Sequence, residues 1–163
     1  MKKLGVYLES SFVSYLTNRR SRDILVSAHQ DVTQLWWTMR REDFELFVSD
    51  LVISEISSGD TEASKRRLEV VQDVQILTAT EAVERLTHRI LEKKIVPSKA
   101  AIDAAHMAFA AVKGIDYLLT WNCKHIANVE IARTLRNVIE SEGYEAPLIC
   151  TPLELLGDSA DEP

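Results

Sequence analysis

Short apolar runs alternate along this chain with longer stretches of helical period, the pattern of an α/β domain built on a mostly parallel sheet. Five runs read as strands: Leu4–Leu8, Leu46–Val48, Val74–Leu77, Tyr117–Thr120 and Pro147–Cys150. The first is apolar throughout except for Gly5, as a strand covered by helices on both faces should be. The last is short and suits a sheet edge. The sheet is thus expected to hold four or five strands.

Between the strands the spacing predicts helices over Ser10–Leu16, Asp23–Arg41, Asp50–Ser57, Thr61–Val71, Glu81–Glu92, Lys99–Lys113 and Val129–Glu142. Gly59 and Gly114 stand where helices stop, and Ser98 after Pro97 is placed to cap the sixth helix. That helix is rich in alanine, from Ala100 to Ala111, so it can pack very close to the sheet. The Trp36-Trp37 pair on the second helix reads as core or partner contact. Residues 1–157 are expected to form one domain, and the acidic stretch 158–163 a disordered tail.

Composition narrows the function classes. With 19 Lys plus Arg against 25 Asp plus Glu, the net charge is −6, so any nucleic-acid contact must come from a local basic strip or from cations. Arg19, Arg20 and Arg22, the Arg40-Arg41 pair and Lys65-Arg66-Arg67 are the candidate basic points, though most such runs are solvated faces. Two cysteines, Cys123 and Cys150, suggest neither a disulfide scaffold nor a zinc ribbon. No stretch approaches the roughly 20 apolar residues of a membrane span, and the early Glu9 breaks any secretory run, so a cytoplasmic location is expected. The five glycines (5, 59, 114, 143 and 157) form no phosphate loop or dinucleotide fingerprint, which disfavours a nucleotide-binding module.

Open α/β sheets present ligands at the carboxyl edges of their strands, and four polar residues fall there or on the helices that follow. Glu9 ends the first strand; Glu55 lies in the helix after the second; Asp103 interrupts the alanine helix; Asn122 follows the fourth strand. Each alone has a plain structural explanation: a helix-start carboxylate, a solvated helix residue, a turn amide. Asp103 resists it most, since aspartate is a poor helix former among small apolar neighbours. If the strand ends meet, three carboxylates and an amide share a pocket. Two unit charges about 4 Å apart repel by roughly 4 kcal/mol at an effective dielectric near 20, so such a cluster calls for a hard divalent cation, Mg²⁺ or Mn²⁺. An ion of that kind holds phosphate oxygens and activates water, the chemistry of phosphodiester hydrolysis.

These segments resemble the PIN (PilT N-terminal) domain nucleases of the VapC-like toxin group, from about Lys3 to about Leu156. The matching stretches are Val6–Leu16, Ser54–Gly59, Asp103–Ala108 and Tyr117–His125. The resemblance implies an α/β/α fold and a metal-dependent endoribonuclease acting on RNA as the toxin of a toxin-antitoxin pair, with a homodimer and a small antitoxin as partners. It puts Glu9 at the family's first aspartate, Glu55 at its glutamate, Asp103 at its central aspartate and Asn122 at its last acidic position. These four are the expected catalytic and metal-holding set. Ser10 and Ser11 fall beside the first carboxylate, where Ser10 can orient Glu9 or cap the next helix. His106, one turn from Asp103, is either structural or turned to the site, while Lys124 and His125 can meet phosphate or solvent. Two departures stand out. Glutamate at 9 lengthens the arm by about 1.5 Å, and Asn122 removes a charge, which weakens any second ion. The alternative is therefore a catalytically weak or silent PIN-fold module that binds RNA or protein.

Overall fold

A computed structural model describes residues 1–157; the tail expected over 158–163 lies outside the described residues. The first strand, β1 (Gly5–Leu8), is buried at all four positions. It pairs in parallel with β2 (Glu45–Ser49) on one side and with β4 (Tyr117–Leu119) on the other, Val6 standing opposite both Leu46 and Tyr117. The strand β3 (Gln75–Leu77) pairs with β2 and β5 (Leu148–Cys150) with β4, so the order is β3-β2-β1-β4-β5, all parallel. A strand flanked on both sides and covered on both faces has no polar position to spare, which is why β1 reads as an unbroken apolar run. The edges β3 and β5 leave Ile76 and Leu148 exposed.

The chain fills β1, β2 and β3 to one side and then returns to place β4 beside β1 on the other. At such a reversal the connections leave β1 and β4 in opposite directions and open a crevice at their carboxyl ends. Three helices stand around that edge. The first, α1 (Ser10–Thr17), leaves β1 directly; α3 (Asp50–Ile56) leaves β2; and α6 (Ala101–Val112) precedes β4. The others are α2 (Ile24–Met39), α4 (Thr61–Val70), α5 (Glu81–Glu92) and α7 (Val129–Ser141).

The expected elements are all present, with ends shifted by one or two residues. The start of the alanine helix differs more. Ser98–Ala100 form a turn of 3₁₀ helix, and α6 begins at Ala101 with no side-chain cap, so Ser98 does not cap it. The 3₁₀ turn takes up the chain entering from Pro97, and the Ala100 N–H bonds the Pro97 carbonyl at 2.8 Å. Beyond it the small side chains do what their size allows: Ala104, Ala108, Ala110 and Ala111 are buried with Met107 and Phe109. Gly114, at φ +66°, then ends the helix in a left-handed conformation that side chains resist. Trp36 is fully buried and donates its indole N–H to the Leu155 carbonyl at 3.2 Å, which ties the end of the described chain to α2. Trp37 is half-buried under the Arg41 guanidinium, 4.6 Å from its ring centroid.

Candidate functional site

Glu9 is the first residue past β1. Its N–H continues the ladder to the Leu119 carbonyl at 3.1 Å, and its side chain caps α1 by accepting from the Ser11 N–H at 2.9 Å. The same oxygen, Oε2, accepts from the hydroxyls of Ser11 and, at 2.9 Å, Thr120. Three donors at a helix N-terminus thus satisfy one oxygen of a side chain that is only 5 % exposed. Among the described residues no buried side-chain polar atom lacks a partner, so the remaining oxygen, Oε1, reaches solvent. Ser10 takes neither of the parts open to it, orienting Glu9 or capping α1: Glu9 is itself the cap, and Ser11 is the serine that holds Glu9. Successive residues on a helix point about 100° apart, and Ser10 turns instead to Glu55, donating to Oε1 at 2.6 Å.

Glu55, in the second turn of α3, accepts through that same Oε1 from His106 Nε2 at 2.5 Å. Burial pushes its carboxyl up, but the hydrogen bonds from His106 and Ser10 and the charge on His106 outweigh burial and hold it below the usual glutamate range. An ionised Glu55 can only accept, so Nε2 carries the proton. On the far side of the ring, His106 Nδ1 meets the Tyr7 hydroxyl at 2.7 Å, and that hydroxyl meets Ser49 Oγ, also at 2.7 Å. Ser49 caps α3 by accepting from the Val52 N–H. A buried polar chain thus runs Ser49–Tyr7–His106–Glu55–Ser10. His106, fully buried, is both structural and turned toward the site.

Asp103 lies in the first turn of α6, three residues before His106 and so on the same face. Its Oδ2 pairs with His125 Nδ1 at 3.0 Å. Asn122 spends its Oδ1 on the His125 N–H at 3.0 Å, closing a turn, while its own N–H bonds Thr120 Oγ1 at 2.9 Å. Contacts therefore pass from Glu9 through Thr120, Asn122 and His125 to Asp103, and along α6 through His106 to Glu55 and Ser10. The expectation of three carboxylates sharing one pocket is corrected in its detail. Among the described residues no three of His, Cys, Asp and Glu stand close enough to hold one ion together. Each acid has a protein partner of its own: Ser11 and Thr120 for Glu9, Ser10 and His106 for Glu55, His125 for Asp103. The protein hydrogen bonds of each fall on one oxygen, leaving Glu9 Oε1, Glu55 Oε2 and Asp103 Oδ1 for another ligand. That donor set of hard oxygens suits an ion that takes one or two carboxylates directly and keeps its waters.

Sequence reasoning passed over Tyr7, Ser49, Thr120 and Trp121. Thr120 and Trp121 sit between the strand and Asn122, and a hydroxyl and an indole flanking a candidate ligand were the available signal. Lys124 is exposed, with its side chain in none of the contacts above. Several arginines are structural: Arg20 grips Asp31 through two bonds of 2.6 and 2.8 Å, and Arg67 holds the Ile56 and Ser58 carbonyls after α3.

No family model and no curated protein matches the chain. Solved structures do. VapC20 of Mycobacterium tuberculosis, described as a sarcin-ricin loop cleaving toxin, is similar with a TM-score of 0.58 at 15 % identity over 85 % of this chain and 95 % of that one. The fold is that of the VapC group of PIN domains. VapBC2 of Rickettsia felis, solved bound to a DNA fragment from its promoter, gives a TM-score of 0.59 at 14 % identity, covering 91 % and 98 % of the two chains. VapBC-1 of nontypeable Haemophilus influenzae gives 0.58 at 15 %, covering 92 % and 99 %. The VapC-like fold expected from four short segments is thus present over nearly the whole length of each neighbour.

Proposed function

We propose that the chain is a divalent-cation-dependent endoribonuclease that acts as the toxin of a toxin-antitoxin pair. The observation that carries this reading is the set of carboxylates at the switch-point edge of the sheet, Glu9, Glu55 and Asp103, each with one oxygen held by protein donors and one left over, on a fold shared with a sarcin-ricin loop cleaving toxin. One or two of Glu9, Asp103 and Glu55 would hold Mg²⁺ or Mn²⁺ directly, the remaining carboxylate acting through bound water, with Asn122 bracing the turn that carries His125. When bound, the ion supplies charge neutralisation at the scissile phosphate and lowers the pKa of an attacking water. The chain's own part is positional. Ser11 and Thr120 fix Glu9; His106 and Ser10 fix Glu55 and hold it ionised, ready to accept a proton; His125 fixes Asp103. Ser10, Ser11 and His106 are thus positioning residues, and exposed Lys124 is available to a phosphate.

Support for a protein partner comes from the start of α2, where Ile24 and Leu25 are 89 % and 65 % exposed. Two apolar residues side by side in water suit docking of a small antitoxin helix or of a second copy of the chain. The second reading, a slow or silent binding module, rests on Asn122, whose oxygen closes a turn. Cleavage of a labelled RNA by the purified protein with Mg²⁺ or Mn²⁺ separates the two. Asp103→Asn should lower the rate by 100-fold or more, by about the size of a lost transition-state contact. Equal cleavage after that change, or after chelation with EDTA, counts against the assignment.

A further inference from the structure

Trp121 interrupts the polar residues after β4 with a ring that none of the site's chemistry uses. Its indole stacks on the His29 imidazole with ring centroids 4.0 Å apart and planes 13° apart, and Tyr15 leans on both at 5.9 and 6.0 Å. All three rings are only partly buried. Two hydrogen bonds fix the tryptophan. Its Nε1–H donates to Thr33 Oγ1 at 2.7 Å, and its backbone N–H donates at 2.9 Å to Ser11 Oγ, the hydroxyl that also holds Glu9. The stack is therefore registered to the Glu9 carboxylate through a single serine. With the indole N–H taken, what it offers a ligand is π surface, which recognises a flat ring without reading its edge.

The neighbouring loop is basic. Gln30, next to His29, accepts from the Ser21 N–H at 2.9 Å and donates to the Arg19 carbonyl at 3.0 Å, drawing the Arg19–Arg22 segment against α2. Arg20 is committed to Asp31, while Arg19 and Arg22 carry no ion pair among the described residues. Aromatic rings combined with a basic segment bind single-stranded nucleic acid, the rings taking bases and the cations the backbone.

We infer that Trp121, stacked on His29 and flanked by Tyr15, is a platform for one unpaired nucleobase of the RNA strand, beside the Glu9 end of the site. The inference rests on the ribonuclease reading and adds to it a residue that contacts a base of the substrate strand beside the cleavage site. A duplex keeps its bases stacked on one another and cannot offer one to the ring.

The test uses the full chain in the Asp103→Asn background, so that a short single-stranded RNA of mixed sequence is bound without being cut. Trp121→Leu should weaken binding about 10-fold, within the range of one base–aromatic stack, and Trp121→Phe, which keeps a ring, should recover most of it. The same RNA annealed to its complement should bind the parent more weakly than the single strand and lose little further affinity in Trp121→Leu. Single-stranded RNA should also quench the tryptophan fluorescence of the parent, and this quench should vanish in Trp121→Phe. Equal affinity of the parent and Trp121→Leu proteins, both folded by circular dichroism, overturns the platform and leaves the nuclease reading standing. If Trp121→Leu fails to fold, the quench decides, and a bound RNA that leaves the parent's emission unchanged overturns the platform. A wild-type protein that binds no RNA overturns both.

Discussion

Tyr7 shows how far a residue's neighbours decide what it means. In the sequence it lies between Val6 and Leu8 and reads as one more apolar residue of a buried strand. In the fold its ring is fully buried, stacked near Phe109, while its hydroxyl joins Ser49 to His106 from elements 42 and 99 residues away. Replacing it with phenylalanine keeps the packing and deletes the hydroxyl, leaving His106 Nδ1 and Ser49 Oγ each short of a buried partner. Tyr7→Phe should therefore cost about 1–3 kcal/mol, read as a lower urea midpoint at unchanged slope. An unchanged midpoint would show that water replaces the hydroxyl. Glu55 was legible as a candidate because of its place after a strand. Its partners were not, because His106 among alanines carries no sign of what its ring will meet. The separate partners of Ser10 and Ser11 were hidden for a related reason: adjacency along the chain does not say which of two serines faces which carboxylate.

Among the elements, the strands and helices were readable because their cores are apolar at the period of each type. The ends were less so, because they depend on single hydrogen bonds. Ser98 illustrates this: a good capping residue in the right place, it is bypassed because the chain leaving Pro97 makes a tighter turn first. The end of α5 holds a stronger conflict between residue and conformation. Past Glu92 the chain turns through Lys94, whose φ of +55° lies in the left-handed region, with its N–H bonded to the Leu91 carbonyl at 3.0 Å. At the equivalent place after α6 the chain has Gly114. Lys94 is exposed, and the left-handed conformation costs an L side chain roughly 1–2 kcal/mol. Glycine's greater freedom in the unfolded chain offsets part of the relief, so Lys94→Gly should raise stability by about 0.5–1 kcal/mol. For a chain of this size that is about 1–4 °C in Tm by differential scanning calorimetry. A fall in Tm would mean that the lysine's contacts outweigh its backbone strain.

At the scale of the whole molecule, the order of the strands was the part least legible, since apolar runs do not state which neighbour they will take. That order, with β1 between β2 and β4, brings Glu9, Glu55, Asp103 and Asn122 to one edge. It also buries Cys150 on β5, within reach of the Glu154 charge. Burial first, and the Glu154 charge second, push its thiol from the ordinary 9.0 up to about 12. In the unfolded chain the same thiol loses its proton near its ordinary value. Between the two values the unfolded state therefore binds fewer protons than the native state, so stability falls as pH rises through this window. The slope reaches at most about 1.4 kcal/mol per pH unit for one such group. Tyr7, raised above 10.0 mainly by burial, adds to the loss at the alkaline end in the same direction. Urea titrations at intervals from pH 8 to pH 11 should show stability level at first and declining beyond about pH 9. Cys150→Ala should flatten that decline between pH 9 and pH 10, where Tyr7 has little part, whatever it does to stability at pH 8. A slope over that interval that is the same in both proteins would place the alkaline loss in groups other than the buried thiol.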